Sequence, residues 1–220
     1  MLSRFQPTRD LLSTSFSQAV YGALQEVYQP AADVDLPADL VASPAKLATG
    51  RKLMRILGID CGGEYTGYGV VEQDDEGSLH HLCSGAIRLL PREPLELRLK
   101  KICEKLSEII ATYTPEQVAI EDVFYAVNVK SALKLGHVRG VAMLAAAQAG
   151  LQVVAYSPLS IKSAVVGYGK AEKCQVQMMV ARLLDLPAPP EPPDVADALA
   201  IAICHLHTAG TLRRQHATTG

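Results

Sequence analysis

Four acidic residues stand where a globular protein ordinarily avoids charge. Asp60 and Glu121 each end a short apolar run that is typical of a buried strand. Asp194 and Asp197 open an apolar helix directly after two prolines, so that their side chains lie one turn apart on one helix face. A carboxylate in such surroundings costs several kcal/mol unless a cation compensates its charge. These four residues are therefore the candidates for chemistry.

The four carboxylates converge if the two strands are neighbours and the helix packs across them. Carboxylates without a nearby Arg or Lys in the local sequence suit oxygen-seeking cations such as Mg²⁺ or Mn²⁺. Two such ions roughly 4 Å apart activate a water and stabilise the leaving oxygen in phosphodiester hydrolysis. For Asp194 alone, a helix N-cap role favoured by the helix dipole is an equal alternative, but it does not account for the other three acids.

The elements that must position these acids follow from the hydrophobic pattern. Short apolar runs predict five strands, at residues 55–60, 66–72, 79–89, 117–121 and 152–156. Longer segments predict four helices, at residues 95–109, 131–149, 171–186 and 194–207. The first three strands are close enough along the chain to form an antiparallel meander, and helices alternate with strands after it. We therefore expect an α/β fold with a mixed sheet flanked by helices.

Seven blocks of the sequence stand out as motifs: Gly58-Ile59-Asp60, Thr66-Gly67-Tyr68-Gly69-Val70, Ala119-Ile120-Glu121, Ser131-Ala132-Leu133-Lys134-Leu135-Gly136, Val165-Val166-Gly167-Tyr168-Gly169, Ala171-Glu172-Lys173 and Asp194-x-x-Asp197-Ala198-Leu199-Ala200. In order and at matching spacing, these blocks resemble the RuvC family of Holliday-junction resolvases. The similarity covers about residues 54–207. It implies a ribonuclease H-like fold with a five-stranded mixed sheet.

The resemblance also implies an activity and its partners. In such an enzyme Asp60, Glu121, Asp194 and Asp197 hold two Mg²⁺ ions per active site, with Mn²⁺ as a substitute. A homodimer resolves four-way junction DNA by paired symmetric nicks, in recombination and DNA repair. The implied protein partner is a branch-migration complex of the RuvA and RuvB type, and the expected location is the cytoplasm, with no membrane contact.

Candidate DNA contacts lie in the middle of the sequence. Between Lys130 and Lys173, six basic residues face one acid, a local charge of +5. Such a run is equally typical of a solvated face, but beside these motifs it predicts phosphate contacts. The DNA contacts suggested by the local charge and the resemblance are Phe124, Asn128, Lys162, Lys170 and Lys173, with the Phe124 ring stacking on opened bases.

The sequence departs from the family pattern at two positions. Cys61 follows Asp60 where the family usually has Pro, and a thiol beside a metal site invites inhibition by soft metals or oxidation. Val127 stands where some relatives carry Lys, so that one phosphate contact is expected to be missing.

The helix predicted from residue 131 is rich in small residues. Gly136 and Gly140 weaken an isolated helix by about 1 kcal/mol each, so we expect them to serve close packing. That packing is against the chain's own sheet or, as the resemblance favours, against the same helix of a second copy across a two-fold axis. The candidate interface residues are Leu135, Gly136, Gly140 and Met143.

Composition sets the outer limits. The chain has 220 residues, 49% of them hydrophobic, which fits one domain with an appendage. Its net charge of −2, taken alone, argues mildly against a nucleic-acid partner. The five cysteines contain no CxxC pair, so neither a disulfide framework nor a zinc site is expected. No apolar run is long enough to span a bilayer.

The chain changes character at Met54. Residues 1–53 carry as many acids as bases and include a Pro/Ala-rich stretch, so we expect a flexible or partly helical extension or, since Met54 begins the first predicted strand, a mis-assigned translation start. Residues 54–210 are the expected nuclease domain, and residues 211–220 a tail.

Two other functions are compatible with some of these residues. Another ribonuclease H-like nuclease, monomeric and acting on RNA or simple duplex, would keep the carboxylates but lack the Gly/Ala-rich dimer helix. A sugar-kinase or actin-like ATP-binding protein would use Gly58-Ile59-Asp60, Gly62-Gly63 and Thr66 as a phosphate loop. That fold needs a duplicated domain, and the sequence shows no internal repeat.

Overall fold

The computed structural model describes residues 53–122 and 129–218, and for residues 129, 130 and 210–218 it describes the backbone alone. The predicted extension therefore lies outside the described residues, apart from Leu53. Within the described ranges, no helix combines the length and apolar character that a bilayer crossing requires.

A five-stranded mixed sheet forms the centre of the fold, with strand order β3-β2-β1-β4-β5. The strands are β1 (Met54–Cys61), β2 (Tyr65–Gln73), β3 (Leu79–Arg88), β4 (Gln117–Glu121) and β5 (Gln152–Tyr156). Strands β1, β2 and β3 pair antiparallel, whereas β4 and β5 join β1 in parallel. The predicted mixed sheet, a meander followed by parallel strands, is confirmed.

Five helices flank the sheet in the described part of the chain. They are α1 (Leu95–Tyr113), α2 (Val129–Gln148), α3 (Pro158–Val166), α4 (Lys173–Leu183) and α5 (Pro193–Thr218). The sequence analysis missed α3, although Ser157 caps its N-terminus by accepting a hydrogen bond from the Ser160 backbone N–H, and Pro158 follows at the first position. Helix α5 continues eleven residues beyond the predicted end at His207.

The sheet separates two apolar cores because side chains alternate along each strand. Leu57 and Ile59 of β1 lie in the core that α1 and α2 cover. Ile56 of β1 and Ala119 of β4 lie in the other core, with α3, α4 and α5. The fold is therefore a sandwich of three layers, helices on either side of the sheet, and every second residue of β1 and β4 faces α5.

Helix α5 lies unusually close to β1 and β2. Residues 198–206 of this helix are buried on every side, between the sheet and the other two helices of its layer. A Cβ atom at Gly58 would stand 2.1 Å from the Ala198 carbonyl oxygen, and one at Gly67 would stand 2.0 Å from the Asp194 carbonyl oxygen. Only glycine at these two positions leaves room for the helix backbone, so the two glycines fix where α5 begins.

Replacing Gly67 by Ala tests this close approach. The new methyl group would meet backbone atoms of α5, which cannot rotate away, so we expect Gly67→Ala to lower the free energy of unfolding by about 1–3 kcal/mol or more. Gly63→Ala is the matched control, since nothing lies within 4 Å of a Cβ added there. Denaturant titration of both variants measures the difference, and equal stability of the two would contradict the packing described.

Candidate active site

Two of the four candidate carboxylates leave the sheet side by side. Strands β1 and β4 are parallel neighbours, with Ile59 paired to Ile120, so Asp60 and Glu121 come next at the same edge. Gly58 and Ala119, two residues earlier in each strand, are paired on the face that α5 covers. Strand alternation therefore directs both carboxylates toward the start of α5.

The other two carboxylates belong to the first two turns of α5, which starts at Pro193. The Asp194 backbone lies against Gly67, and its Oδ1 atom is 3.0 Å from the place of a Cβ at Gly62. Asp194 therefore lies over the turn between β1 and β2. One helical turn further on, the Asp197 carboxylate faces the layer formed by α3 and α4, where its Oδ2 atom contacts Lys173.

The four carboxylates act on one another electrostatically. Burial, followed by the charges of Asp197, Glu121 and Asp194, raises the pKa of Asp60 from its ordinary 3.8 to about 7, against a smaller opposing effect of Lys173. Burial also raises the pKa of Glu121, with Asp197 as the next cause. The structure thus brings together all four acids predicted from the sequence, and their negative charge is only partly compensated.

Two of the predicted DNA-binding lysines stand at this cluster. Lys173 is the first residue of α4, and its Nζ atom lies 2.5 Å from Asp197 Oδ2. Burial alone would lower the pKa of Lys173, but the hydrogen bond to Asp197 and the charges of the acids raise it overall. Lys162 of α3 and Lys173 line a cleft of about 260 Å³ together with Glu121 and Asp197. Lys170 is exposed in the segment between α3 and α4.

The chemistry of this cluster fits a divalent cation. Across residues 53–122 and 129–218, no three Asp, Glu, His or Cys side chains are arranged to hold a metal ion as they stand. Lys173 instead supplies positive charge to Asp197. The donors are carboxylate oxygens, the type that Mg²⁺ and Mn²⁺ prefer. Burial and then the neighbouring acids disfavour the charged form of Asp60, and a cation held by the cluster would oppose both effects.

Cys61 is less reactive than its place in the sequence predicts. Its side chain packs against the core on the α1 and α2 side of the sheet, away from the face toward which Asp60 points. Burial, followed by the charge of Asp60, raises the pKa of the Cys61 thiol to about 12. The thiolate is the form that binds soft metals and is oxidised, and it is scarce at neutral pH with such a pKa. The structure therefore argues against the sensitivity expected from the sequence.

Arg139 is a site residue that the sequence analysis counted only as part of the basic stretch. From α2 its guanidinium donates a hydrogen bond to the Glu121 carbonyl oxygen, and Nη2 lies 3.4 Å from Asp122 Oδ1. The Asp122 backbone N–H in turn donates to the Tyr156 carbonyl oxygen at the end of β5. Arg139 thus ties α2 to the end of β4, where Glu121 stands. The sequence feature that could have indicated this role is an isolated Arg between the apolar residues Val138 and Val141.

Helix α2 presents an exposed apolar stripe. A Cβ added at Gly136 or Gly140 would meet nothing within 4 Å, so these glycines do not pack against the chain's own sheet. The exposed apolar side chains along this stripe are Leu133, Met143 and Leu144. Leu135, also predicted for the interface, is half-buried instead. Two further predicted DNA contacts, Phe124 and Asn128, lie outside the described residues.

The raised pKa of Asp60 predicts how stability depends on pH in EDTA, without divalent cations. Because the folded chain holds this proton up to a pH of about 7, well above the unfolded chain, ionisation of Asp60 destabilises the fold as pH rises. The free energy of unfolding of Asp60→Asn minus that of the unchanged chain should therefore grow by up to about 4 kcal/mol between about pH 4 and about pH 8. Denaturant titrations across this range give the difference, and a constant value would show that Asp60 titrates ordinarily.

Comparison with known proteins finds relatives over the same part of the chain that carries these residues. The family model of "Crossover junction endodeoxyribonuclease RuvC" matches residues 56–205. A RuvC from Koribacter versatilis is 69% identical over 164 residues, which cover 74% of this chain and 99% of the relative. A RuvC from Acidobacterium capsulatum is 56% identical over 168 residues, which cover 74% of this chain and 98% of the relative.

Solved structures agree with the sequence relatives. The Thermus thermophilus RuvC structure superimposes with a TM-score of 0.67 at 36% identity and covers 72% of this chain and 96% of its own. The same protein in complex with Holliday junction substrate gives a TM-score of 0.67 at 33% identity, with the same coverage. The yeast mitochondrial Holliday junction resolvase, at 17% identity and a TM-score of 0.53, shares the fold. The sheet, its helices and these relatives together show that the chain belongs to the RuvC family of crossover junction endodeoxyribonucleases, with its ribonuclease H-like fold.

Proposed function

We propose that Asp60, Glu121, Asp194 and Asp197 are the catalytic residues with which this chain cuts four-way DNA junctions. By its family the chain is a Holliday-junction resolvase, an endodeoxyribonuclease of recombination and repair. The observation that carries the assignment is the convergence of the four carboxylates, from β1, β4 and α5, beside Lys162 and Lys173. A relative solved with Holliday junction substrate supports junction DNA as the partner.

The proposed cofactor is a pair of Mg²⁺ ions per active site, with Mn²⁺ as a substitute, within a family of metal-dependent nucleases. When bound, such ions activate a water and neutralise charge on the leaving oxygen. The four carboxylates would hold them, and the partly compensated charge around Asp60 supports this. Lys173 would have to share or release Asp197 when a cation binds, since its ammonium group now contacts that carboxylate.

The lysines at the cleft have a separate task. Lys162 and Lys173 place positive charge within the wall that also contains Glu121 and Asp197, where a phosphodiester must lie to be cut. Together with Lys170 they would contact phosphates and so hold the strand in register without selecting its sequence. Phe124 and Asn128 remain predicted DNA contacts.

The exposed stripe of α2 fits the proposed dimer. Resolvases of this family act as homodimers, and a two-fold axis matches the near two-fold symmetry of a junction. Gly136, Gly140 and Met143 lie on the open side of α2, where two copies of the helix could approach closely. Leu135 would contribute from the edge of that face. The branch-migration complex of the RuvA and RuvB type is the family's partner, and cytoplasmic location stays a prediction.

Removal of the metal-binding oxygens should separate cutting from binding. We expect Asp60→Asn and Glu121→Gln each to reduce the nicking rate by at least about a thousandfold, while the dissociation constant for a four-way junction changes little. Nicking is measured with end-labelled junctions in Mg²⁺, and binding is measured in Ca²⁺ against a linear duplex of the same sequence.

Glu104→Gln is the matched control for these variants. It makes the same change from carboxylate to amide at an exposed position of α1, on the other side of the sheet. It should cut at the unchanged rate. Retained nicking in Asp60→Asn or Glu121→Gln would contradict the site, and equal binding of linear and four-way DNA by the unchanged chain would contradict the substrate.

Arg139 is expected to act as a positioning residue for Glu121. Arg139→Gln removes both contacts with the end of β4, so we expect a nicking rate about 10- to 100-fold lower and a higher Mg²⁺ requirement, with junction binding little changed. Arg139→Lys keeps the charge and should recover part of the rate. If Arg139→Gln instead weakened junction binding and left the single-turnover rate unchanged, Arg139 would be a phosphate contact.

A further inference from the structure

Two exposed side chains, Leu159 and Tyr168, belong to the segments that carry Lys162 and Lys173 to the cleft, and none of the roles proposed above uses them. Leu159 of α3 is 63% exposed, and Tyr168, in the segment between α3 and α4, is 48% exposed. A Cβ added at Gly169 would lie 2.2 Å from Leu159 Cδ1, so Leu159 covers the residue next to Tyr168. Leu159 and Tyr168 thus belong to adjoining parts of the surface, which we call the apolar patch.

The Tyr168 ring is held in place by its own hydroxyl. Tyr168 Oη donates a hydrogen bond of 3.0 Å to Oε1 of Gln175 in the first turn of α4. The same oxygen accepts the Glu172 backbone N–H at 2.9 Å, as part of the capping box of that helix. The ring thus keeps a fixed orientation although nearly half of it is open to solvent.

Three lysines lie close to the patch along the chain, and two of them line the cleft. Lys162 follows Leu159 by three residues on α3, so the two side chains share a helix face. Lys170 follows Tyr168 by two residues, and Lys173 begins the helix to which the Tyr168 hydroxyl is bonded. Lys162 and Lys173 line the cleft with Glu121 and Asp197. Because the Tyr168 hydroxyl is bonded to the helix that Lys173 begins, a DNA strand held by these lysines would lie near the Tyr168 ring.

We propose that Tyr168 is a DNA-binding residue that stacks on a nucleobase of the junction strand held at the cleft, with Leu159 as the apolar support beside it. This inference rests on the proposed function of the same site. Every base offers a π-face to an aromatic ring, so the contact strengthens binding without hydrogen-bond recognition of a sequence. At a four-way junction, bases at the crossover are the ones least constrained by stacking on both sides.

Substitutions at Tyr168 separate the ring from its hydroxyl. Tyr168→Ala should weaken junction binding about 10-fold and Tyr168→Leu should weaken it less, while Tyr168→Phe should lose the least because the ring remains although the hydrogen bond that orients it is gone. The dissociation constants are measured in Ca²⁺ at several salt concentrations, with thermal unfolding to verify the fold. Because stacking involves no counterion release, the salt dependence should stay the same, whereas Lys170→Ala should make it shallower.

Met178→Ala is the matched control, because Met178 is an exposed apolar side chain of α4 that lies five residues after Lys173 and on a different face of the helix. It should leave binding unchanged. Unchanged binding by Tyr168→Ala would overturn the inference, as would Tyr168→Phe binding as weakly as Tyr168→Ala, since the hydroxyl and not the ring would then matter. If the unchanged chain does not bind junctions more tightly than linear DNA, the proposed function is contradicted. If it does, but none of the Tyr168 variants changes the dissociation constant, only the stacking role of Tyr168 is contradicted.

Discussion

The contact between the start of α5 and two glycines of the sheet is the constraint on which the candidate site depends. Gly58 and Gly67 let the helix backbone approach to a distance that any side chain would prevent. Because residues 198–206 of α5 are buried on every side, the helix cannot shift to another register without emptying a core. Asp194 and Asp197 are therefore delivered to the strand ends by packing, before any metal or DNA contributes.

The electrostatic cost of placing four carboxylates together is the physical reason for proposing that this site binds divalent cations. Four carboxylates lie together, and Asp60 has a pKa of about 7 because burial and its three neighbours disfavour its charge. Lys173 offsets part of this charge through Asp197. Such a buried cluster of like charges lowers stability by itself, which supports the proposal that it serves to bind cations. The chain's net charge of −2 conceals this acidic pocket beside a basic stretch.

Much of this site could be predicted from the sequence because its residues mark element ends. Asp60 and Glu121 end apolar runs, and Asp194 opens a helix after prolines, so the sequence pattern locates them without three-dimensional information. Helix α3 was missed because nine residues give too short a pattern to show a period. Arg139 and Tyr168 could not be assigned, because their partners, the Glu121 carbonyl oxygen and Gln175, are chosen by tertiary packing and by a local cap.

Helix α2 joins the site to the proposed dimer, since Arg139 holds the end of β4 from the helix whose other side is open.

The central claim is that the carboxylate cluster binds metal. The most direct measurement is anomalous diffraction from crystals of the full chain soaked in Mn²⁺. The account predicts Mn²⁺ peaks at coordination distance from Asp60 and from carboxylates of Glu121, Asp194 or Asp197. Mn²⁺ bound elsewhere, with the Lys173–Asp197 contact intact and no peak at Asp60, would contradict it.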